Sequence, residues 1–225
     1  QGVKGSKYDK ESLEPTQFAG FNQSFDDFNG TRWTRSALAI DQRFGSNIHG
    51  GLELSQRRLD IPGLGCGTLD CLARWQERRH RAYLVLPFGS QIALSTEWHH
   101  ENSRLIDSAD NVAGLLPYQL RTDLLPLRLW VKTGPGDLLL ETWGVRQRAL
   151  FRDSPGLDIS GRSAFAITNL RYSLPYSDKR WLASLSVSNL FDRQFRFQNG
   201  DYNGDPKAPL FHPRRSVLFQ LVYRY

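Results

Sequence analysis

The chain has 225 residues, of which 40% are hydrophobic, 12% aromatic and 23% charged, and its formal net charge is +6. This composition excludes a disordered segment, because 6 Trp, 8 Tyr and 13 Phe side chains can bury enough apolar surface to order a chain. Two cysteines exclude a disulfide-dense scaffold and a four-cysteine metal site, and the lack of any run of about 18 apolar residues argues against a transmembrane helix.

Alternation of apolar and polar residues with period two is the strongest pattern in the chain, and it predicts nine strands. In chain order they cover residues 33–44, 47–59, 76–87, 90–102, 118–132, 138–151, 163–174, 180–193 and 214–225. All nine exceed the ~5–6 residues of a mean globular strand, and they fit the ~9–11 residues of a tilted membrane-spanning strand. Segment 138–151 is ambiguous, because Leu138, Leu139 and Leu140 are consecutive.

The connections between these segments alternate in length along the chain. The short ones are 45–46, 88–89, 133–137 and 175–179, and the long ones are 60–75, 103–117, 152–162 and 194–213. Outer-membrane barrels sort their connections in this way, with short periplasmic turns and long extracellular loops. A soluble β-sandwich remains the alternative architecture.

The sequence therefore predicts an all-β fold, an antiparallel transmembrane β-barrel. Nine strands cannot close with every pair antiparallel, and bacterial barrels use even numbers, so we expect an incomplete, C-terminal portion of nine or ten strands. Residues 1–32 are polar and turn-rich and are predicted to be an outer loop or N-terminal extension, with a tenth strand over Phe18–Phe25 as the alternative. Residues 33–225 are the predicted barrel segment.

One face of the predicted strands is polar and would line a water-filled lumen. We expect its residues to hydrate the lumen, to form ion pairs across strands and to shape the path, without catalytic or cofactor-binding roles. The lumen-facing candidates are Glu53, Ser55, Arg57, Ser95, Glu97, Arg128, Ser184, Ser186, Ser188 and Arg224.

Two groups of residues between positions 66 and 103 invite a chemical interpretation. Cys66 and Cys71 lie in one predicted loop and suggest a disulfide in an outer loop. His99 falls on the polar face with Glu97, but neighbouring His100 points to the opposite face, so the pair is poorly placed to bind one metal ion. Nearby Ser103 lacks the sequence context of a hydrolase nucleophile.

The loop at 194–213 contains a partial calcium-loop pattern. Asp201, Asn203 and Asp205 match the first ligand positions of an EF-hand. Pro206 stands where that loop requires glycine, and His212 stands where it requires glutamate. A turn-rich outer loop explains these residues better.

The positive charge does not form a nucleic-acid-binding pattern. The densest basic cluster is Arg74, Arg78, Arg79 and Arg81, and no helix-turn-helix, zinc-finger or stacking pattern surrounds it. Dispersed lumen and loop charges are the simpler interpretation, and arginines at loop ends could contact lipopolysaccharide phosphates.

The C-terminal third contains the run Asn189-Leu190-Phe191-Asp192 and, further along, Pro213-Arg214-Arg215. The first resembles the penultimate strand of TonB-dependent receptors, and the second is similar to the residues that lead into the last strand of that family. The alternating Phe219, Leu221, Tyr223 and Tyr225 resemble the signal that outer-membrane barrels present to their assembly machinery. Residues 13–23 resemble receptor-like barrels that follow a tetratricopeptide-repeat region.

The resemblance implies an outer-membrane barrel of the TonB-dependent-receptor type that takes part in uptake or transport and is not an enzyme. The implied partners are outer-membrane lipid, lipopolysaccharide, the barrel-assembly machinery, and either TonB or a periplasmic repeat domain, but not nucleic acid. These residues contain no plug domain and no TonB box, so energy coupling is not carried over. The alternatives are a tetratricopeptide-linked export or secretion channel and an outer-membrane enzyme.

Overall fold

The computed structural model describes residues 2–3, 16–18, 21–23, 30–45, 47–62, 72–108, 117–152, 158–176, 181–198 and 214–223. The regular structure in these residues is entirely β. The strands are β1 (Gly2–Val3), β2 (Thr16–Phe18), β3 (Phe21–Gln23), β4 (Arg32–Phe44), β5 (Ile48–Pro62), β6 (Leu72–Phe88), β7 (Ile92–Ser108), β8 (Gln119–Lys132), β9 (Asp137–Arg152), β10 (Asp158–Tyr176), β11 (Trp181–Ser188) and β12 (Ser216–Tyr223). Over the same residues there is no helix long and apolar enough to cross a membrane.

Ten of these strands form one antiparallel sheet with the order β1-β4-β5-β6-β7-β8-β9-β10-β11-β12. From β4 onward each strand pairs with the next one in the chain, so the sheet is a continuous meander. The nine long strands correspond to the nine that the alternation predicts, which confirms the all-β antiparallel fold.

The sheet is open, and the described residues do not close it into a barrel. At one edge β1 pairs with Arg32 and Trp33, and the rest of β4 has no neighbour among the residues that the structure describes. At the other edge the described partner of β12 is β11 alone. Because successive strands alternate in direction, β4 and β12 run the same way, and pairing them directly would create a parallel seam.

The described residues of Phe18–Phe25 do not add a tenth strand to the large sheet, which was the alternative to an outer loop. Thr16–Phe18 and Phe21–Gln23 pair with each other as a separate two-stranded sheet, with the register Phe18 to Phe21. The tenth strand of the large sheet is instead β1.

Several strands extend further toward the long connections than the sequence predicts. Strand β6 begins at Leu72 rather than at 76, β7 ends at Ser108 rather than at 102, and β10 begins at Asp158 rather than at 163. A strand continues for as long as its backbone finds a hydrogen-bonding neighbour, even where its side chains are no longer alternately apolar. The expected long loop at 152–162 therefore reduces to 153–157, and the length sorting is wrong at that connection.

Strand β11 ends earlier than expected, at Ser188 instead of 193, because the next residue leaves the extended conformation. Asn189 and Asp192 have φ values of 50° and 52°, a left-handed conformation that asparagine and aspartate tolerate better than most residues. The Asn189 side chain donates to the Arg193 carbonyl at 2.8 Å and accepts from the Arg193 amide at 2.9 Å. Residues Asn189–Arg193 therefore form a turn that is held by two hydrogen bonds of the Asn189 side chain, and they do not belong to β11.

The same turn also positions the start of the last strand. Asp192 accepts a hydrogen bond from the backbone amide of Arg215 at 2.9 Å and lies 3.5 Å from the Arg214 guanidinium. The residues of the Asn-Leu-Phe-Asp run thus hold the beginning of β12 against the end of β11.

The two faces of the sheet differ in polarity and in burial. We call the side that carries Ser55 and the residues in register with it the polar face, and the side that carries Leu54 and its register partners the apolar face. Every buried side chain of the described strands lies on the polar face. These include Arg57 at 5% exposure and Gln147 at 4%, and also a hydrophobic cluster formed by Leu59, Ile61, Ala73 and Trp75 at one end of β5 and β6.

The apolar face has the opposite character, since most of its large side chains are exposed. Leu38 is 72% exposed and Phe219 is 66% exposed. A soluble antiparallel sheet usually packs its apolar face and exposes its polar one, whereas here the described residues leave the apolar face largely uncovered. The exposed apolar side chains on this face include Leu38, Ile40, Phe44, Ile48, Leu52, Leu54, Phe88, Ile92, Trp98, Leu125, Leu127, Trp181, Leu185, Val217, Phe219, Leu221 and Tyr223.

Candidate functional site

The polar face carries a ladder of charged side chains that crosses six neighbouring strands, β4 to β9. Each member lies on the polar face because strand side chains alternate, and each finds its partner through the antiparallel register. We call this set the charge network. Its members are Arg35, Glu53, Arg57, Glu77, Arg79, Arg81, Glu97, His99, Glu101, Arg128 and Glu141.

Glu97 on β7 is the centre of the charge network. Its carboxylate accepts hydrogen bonds from Arg81 on β6 at 2.9 Å and from Arg128 on β8 at 3.2 Å. His99 Nε2 lies 3.0 Å from the same carboxylate, two residues along the strand. Arg128 also donates to Glu141 on β9 at 2.6 Å. A continuous path of charged hydrogen bonds therefore joins four strands, β6 to β9.

Three further pairs extend the network toward β4. Arg35 and Glu53 join β4 to β5 at 2.7 Å, and Arg57 and Glu77 join β5 to β6, also at 2.7 Å. Arg79 and Glu101 join β6 to β7 at 2.7 Å. Because each arginine meets a carboxylate on a neighbouring strand, the face carries many charges with little net charge, and the pairs fix the strands in register.

An open hollow of about 470 Å³ lies against the charge network. Its wall combines the ion pairs with three less polar residues, Leu124, Pro126 and Trp143. The Trp143 indole N–H is buried and has no hydrogen-bond partner in the described part of the chain, and the Arg128 guanidinium lies 6.0 Å above its ring. The hollow thus offers donors, acceptors and one aromatic edge to water or to a polar solute.

The segment after β11 folds back over the polar face instead of continuing outward. The rings of Phe195 and Phe197 lie 4.9 Å and 5.1 Å from the ring of Phe165 on β10. Gln198 donates from its backbone to the Gln147 side chain at 2.7 Å and from its amide to Ser163 at 2.6 Å. We call residues 193–198 the inward segment.

The sequence predicts an outer loop over 194–213. The structure corrects this prediction for the first residues of that loop, 194–198, which pack against the polar face. Gly161 leaves room for the inward segment, because a Cβ atom there would collide with the Gln198 side chain. Both glutamines, Gln147 and Gln198, are buried with their polar atoms paired, which is how buried amides are stabilised.

The register brings most of the predicted lumen candidates to one face. Glu53, Arg57, Glu97 and Arg128 belong to the charge network, while Ser55, Ser95, Ser184, Ser186 and Ser188 lie elsewhere on the same polar face. That this face lines a lumen stays a prediction. Arg224 lies outside the described residues, as do Cys66, Cys71, Tyr225 and the partial calcium-loop residues Asp201, Asn203 and Asp205.

The two histidines lie on opposite faces, as adjacent strand residues must. His99 contacts Glu97 on the polar face, whereas His100 pairs with Asp123 on the apolar face at 2.7 Å. Throughout the described ranges no group of three or more His, Cys, Asp and Glu side chains is arranged to hold a metal ion.

Three of the four residues of the predicted assembly signal lie on the apolar face of β12. Phe219, Leu221 and Tyr223 are 66%, 56% and 41% exposed, and the Tyr223 ring lies 4.6 Å from that of Trp181 on β11. The aromatic pair sits beside the short connection between β10 and β11. Recognition by assembly machinery stays a prediction.

Sequence reasoning missed the partners within the charge network and the inward segment. Glu77, Arg81 and Glu141 could have been found, since each occupies a polar-face position in a predicted strand. Their pairing needed the register, which depends on turn lengths. The residues of the inward segment carry no periodic signal, and nothing in the sequence singles out Gln198.

No protein-family model matches the chain, no curated protein matches it in sequence, and no solved structure matches it.

Proposed function

We propose that the chain forms one arc of the wall of an outer-membrane β-barrel of the TonB-dependent-receptor type, which takes part in uptake across that membrane. The observation that carries the proposal is the contrast between the two faces, with partly buried ion pairs on one and exposed leucine, isoleucine and aromatic side chains on the other. Monomeric soluble proteins rarely expose apolar patches larger than ~300–600 Å². A lipid-facing wall around a wet interior accounts for both faces.

The apolar band extends over several alternating positions of a strand. On β8 it includes Leu125, Leu127 and Leu129 and ends at Val131, beyond which Lys132 begins the turn. These four positions span three two-residue steps, about 20 Å of strand, which a tilt of ~40° reduces to about 15 Å of height. On this strand the band therefore covers more than half of the ~25 Å apolar band of outer-membrane barrels.

The two uncovered edges support closure by further strands. Long unpaired edges are templates for pairing with another strand, and a barrel removes them. Since β4 and β12 run in the same direction, an odd number of additional strands between them makes every pair antiparallel. Outer-membrane transporters have walls of ~22 strands, so the nine long strands of this arc would leave an odd number of strands for the rest of the wall.

In this barrel the polar face lines the lumen, and the inward segment narrows it. The charge network supplies a hydrated surface with alternating positive and negative groups, suited to the passage of a polar solute. The inward segment, held to the wall by the phenylalanine cluster and by Gln198, reduces the open cross-section as inward-folded loops do in other barrels.

The test uses the full-length protein in a Gram-negative host. We expect it to fractionate with the outer membrane, to resist extraction with carbonate, and to migrate faster on a gel before heating than after it, because a folded barrel remains compact in detergent. Reconstituted in liposomes, it should admit small polar solutes when the inward segment is removed. Recovery in the soluble fraction, with one migration position before and after heating, would contradict the proposal.

A further inference from the structure

Four arginines lie in one register row on the apolar face, beyond the apolar band. Arg78 on β6 is in register with Asn102 on β7, which is in register with Arg121 on β8. Arg121 is in register with Arg148 on β9, and Arg148 with Arg162 on β10. We call Arg78, Arg121, Arg148 and Arg162 the arginine row, and all four are exposed.

The arginine row differs from the charge network in having no carboxylate partners. Among the described residues none of its four members forms an ion pair, although seven other arginines of those residues do. When the Gln119 side-chain amide is turned so that its oxygen faces Arg121, this neutral oxygen accepts hydrogen bonds from the Arg121 guanidinium at 3.1 Å and 3.2 Å. Like charges opposite each other on neighbouring strands repel, so an anion from outside these residues would stabilise the row.

A hollow of about 210 Å³ marks where that anion would bind. Arg121, Arg148 and Arg162 line it together with the polar side chains of Gln119 and Ser160, and no carboxylate lines it. The three arginines come from three adjacent strands, which lie about 4.8 Å apart, so their guanidinium groups can reach one tetrahedral anion. Guanidinium groups bind phosphate oxygens in bidentate fashion, which an ammonium group cannot do.

The position of the row identifies the source of the phosphate. The row lies between the apolar band and the connections 63–71, 109–118 and 153–157, at the end of the strands opposite the short turns. In the proposed barrel this is the extracellular end, at the height of the outer-leaflet headgroups. In the proposed barrel the apolar face points away from the lumen, so a solute in transit does not contact the arginine row.

We infer that Arg121, Arg148 and Arg162 form a binding site for a phosphate of an outer-leaflet glycolipid, with Arg78 extending the site along the membrane surface. This inference rests on the proposed barrel, because it uses the orientation of the sheet in the membrane. It adds a specific lipid contact that holds the wall at a fixed depth and offsets the repulsion within the row.

The experiment measures lipid binding by native mass spectrometry, with the full-length protein in detergent micelles. The probes are bisphosphorylated lipid A, the same lipid without its phosphates, and inorganic phosphate as a competitor. The variant Arg148→Gln/Arg162→Gln removes two charges from the hollow. The matched control, Arg171→Gln/Arg193→Gln, removes two exposed arginines elsewhere, of which Arg171 contacts Ser186 on the polar face at 3.1 Å.

We expect bisphosphorylated lipid A to bind and the dephosphorylated lipid to bind at least tenfold more weakly. The variant Arg148→Gln/Arg162→Gln should lose about tenfold or more in affinity for bisphosphorylated lipid A, because each charged hydrogen bond contributes roughly tenfold. The control variant should keep its affinity. Equal loss in both variants would overturn the site. Full displacement by inorganic phosphate at equal concentration would overturn the lipid assignment. Heat-modifiable migration of each variant, measured in parallel, reports on the barrel itself and separates its failure from that of the site.

Discussion

The cost of placing a charge on β12 should depend on face and on depth, and the structure gives the expected order. Tyr223, Leu221 and Phe219 lie on the apolar face at successive alternate positions, with Tyr223 beside Trp181 in the aromatic pair near the short-turn end. Each step of two residues advances about 6–7 Å along the strand, or about 5 Å in depth for a strand tilted by ~40°.

An arginine costs ~0–1 kcal/mol near the interface and ~2–4 kcal/mol at the bilayer midplane. We therefore expect Tyr223→Arg to cost about 1 kcal/mol, Leu221→Arg about 2 kcal/mol and Phe219→Arg about 3 kcal/mol or more, since a ~25 Å band places Phe219 nearest its centre. The matched control is Gln220→Arg, whose side chain lies on the polar face opposite Ser184. We expect that control to cost much less, because water reaches that side.

The assay is reversible unfolding of the full-length protein from lipid bilayers by denaturant, which gives the change in unfolding free energy for each variant. Heat-modifiable migration and surface proteolysis check that each variant has inserted. Equal costs for Leu221→Arg and Gln220→Arg, or costs that fall toward Phe219, would refute the assignment of the two faces.

Three further perturbations test the polar face and the turn that ends β11. Replacing Glu97 with Gln leaves Arg81 and Arg128 without their shared carboxylate, so we expect a loss of about 1–3 kcal/mol in unfolding free energy, and an unchanged midpoint in denaturant would disprove its central role. The double change Phe195→Ala/Phe197→Ala should release the inward segment and raise the conductance of the protein in planar bilayers, whereas Phe191→Ala, at 68% exposure, should not. Asn189→Ala should slow assembly and lower the free energy of unfolding by about 2 kcal/mol or more, because it loses the side-chain hydrogen bonds and strains a positive φ. Asn189→Gly relieves the strain and should cost less. The reverse order in a refolding assay would count against the turn.

The alternation of polar and apolar residues predicts the nine long strands and the face of each residue in them, but not where the strands end. The face of a strand residue depends only on its position relative to its neighbours, so Glu53, Glu97 and Arg128 could be placed together from the sequence alone. The same local rule separated His99 from His100. These features needed no knowledge of which strand lies beside which.

The pairing within the charge network could not be predicted in the same way. Arg57 meets Glu77 and Arg128 meets Glu141 only because the connecting turns set one register, and a shift of two residues would keep every face and change every pair. The strand ends near the long connections were also hidden, since charged and apolar residues exchange faces there. Arg74 pairs with Asp60 and Asp107 on the otherwise apolar face, while Leu59, Ile61, Ala73 and Trp75 cluster on the other.

The turn at Asn189 has a sequence signal of its own, although the predicted strand runs past it to residue 193. Asparagine and aspartate three residues apart are typical turn formers, and this alone could have ended β11 at Ser188. The inward segment had no such signal. Its position depends on a long-range contact between Gln198 and Gln147, which only the folded chain brings together.

The most direct test of whether the apolar face contacts lipid is a nitroxide scan of four consecutive residues on β5. Single labels replace Leu52, Glu53, Leu54 and Ser55 in the full-length protein reconstituted in bilayers, with Cys66 and Cys71 changed to serine. Collision rates with oxygen, which partitions into lipid, and with a water-soluble nickel chelate are then compared. We expect oxygen to dominate at positions 52 and 54 and the chelate at positions 53 and 55, because the faces alternate. Chelate access at all four positions, or oxygen access in the opposite phase, would contradict a lipid-facing apolar surface.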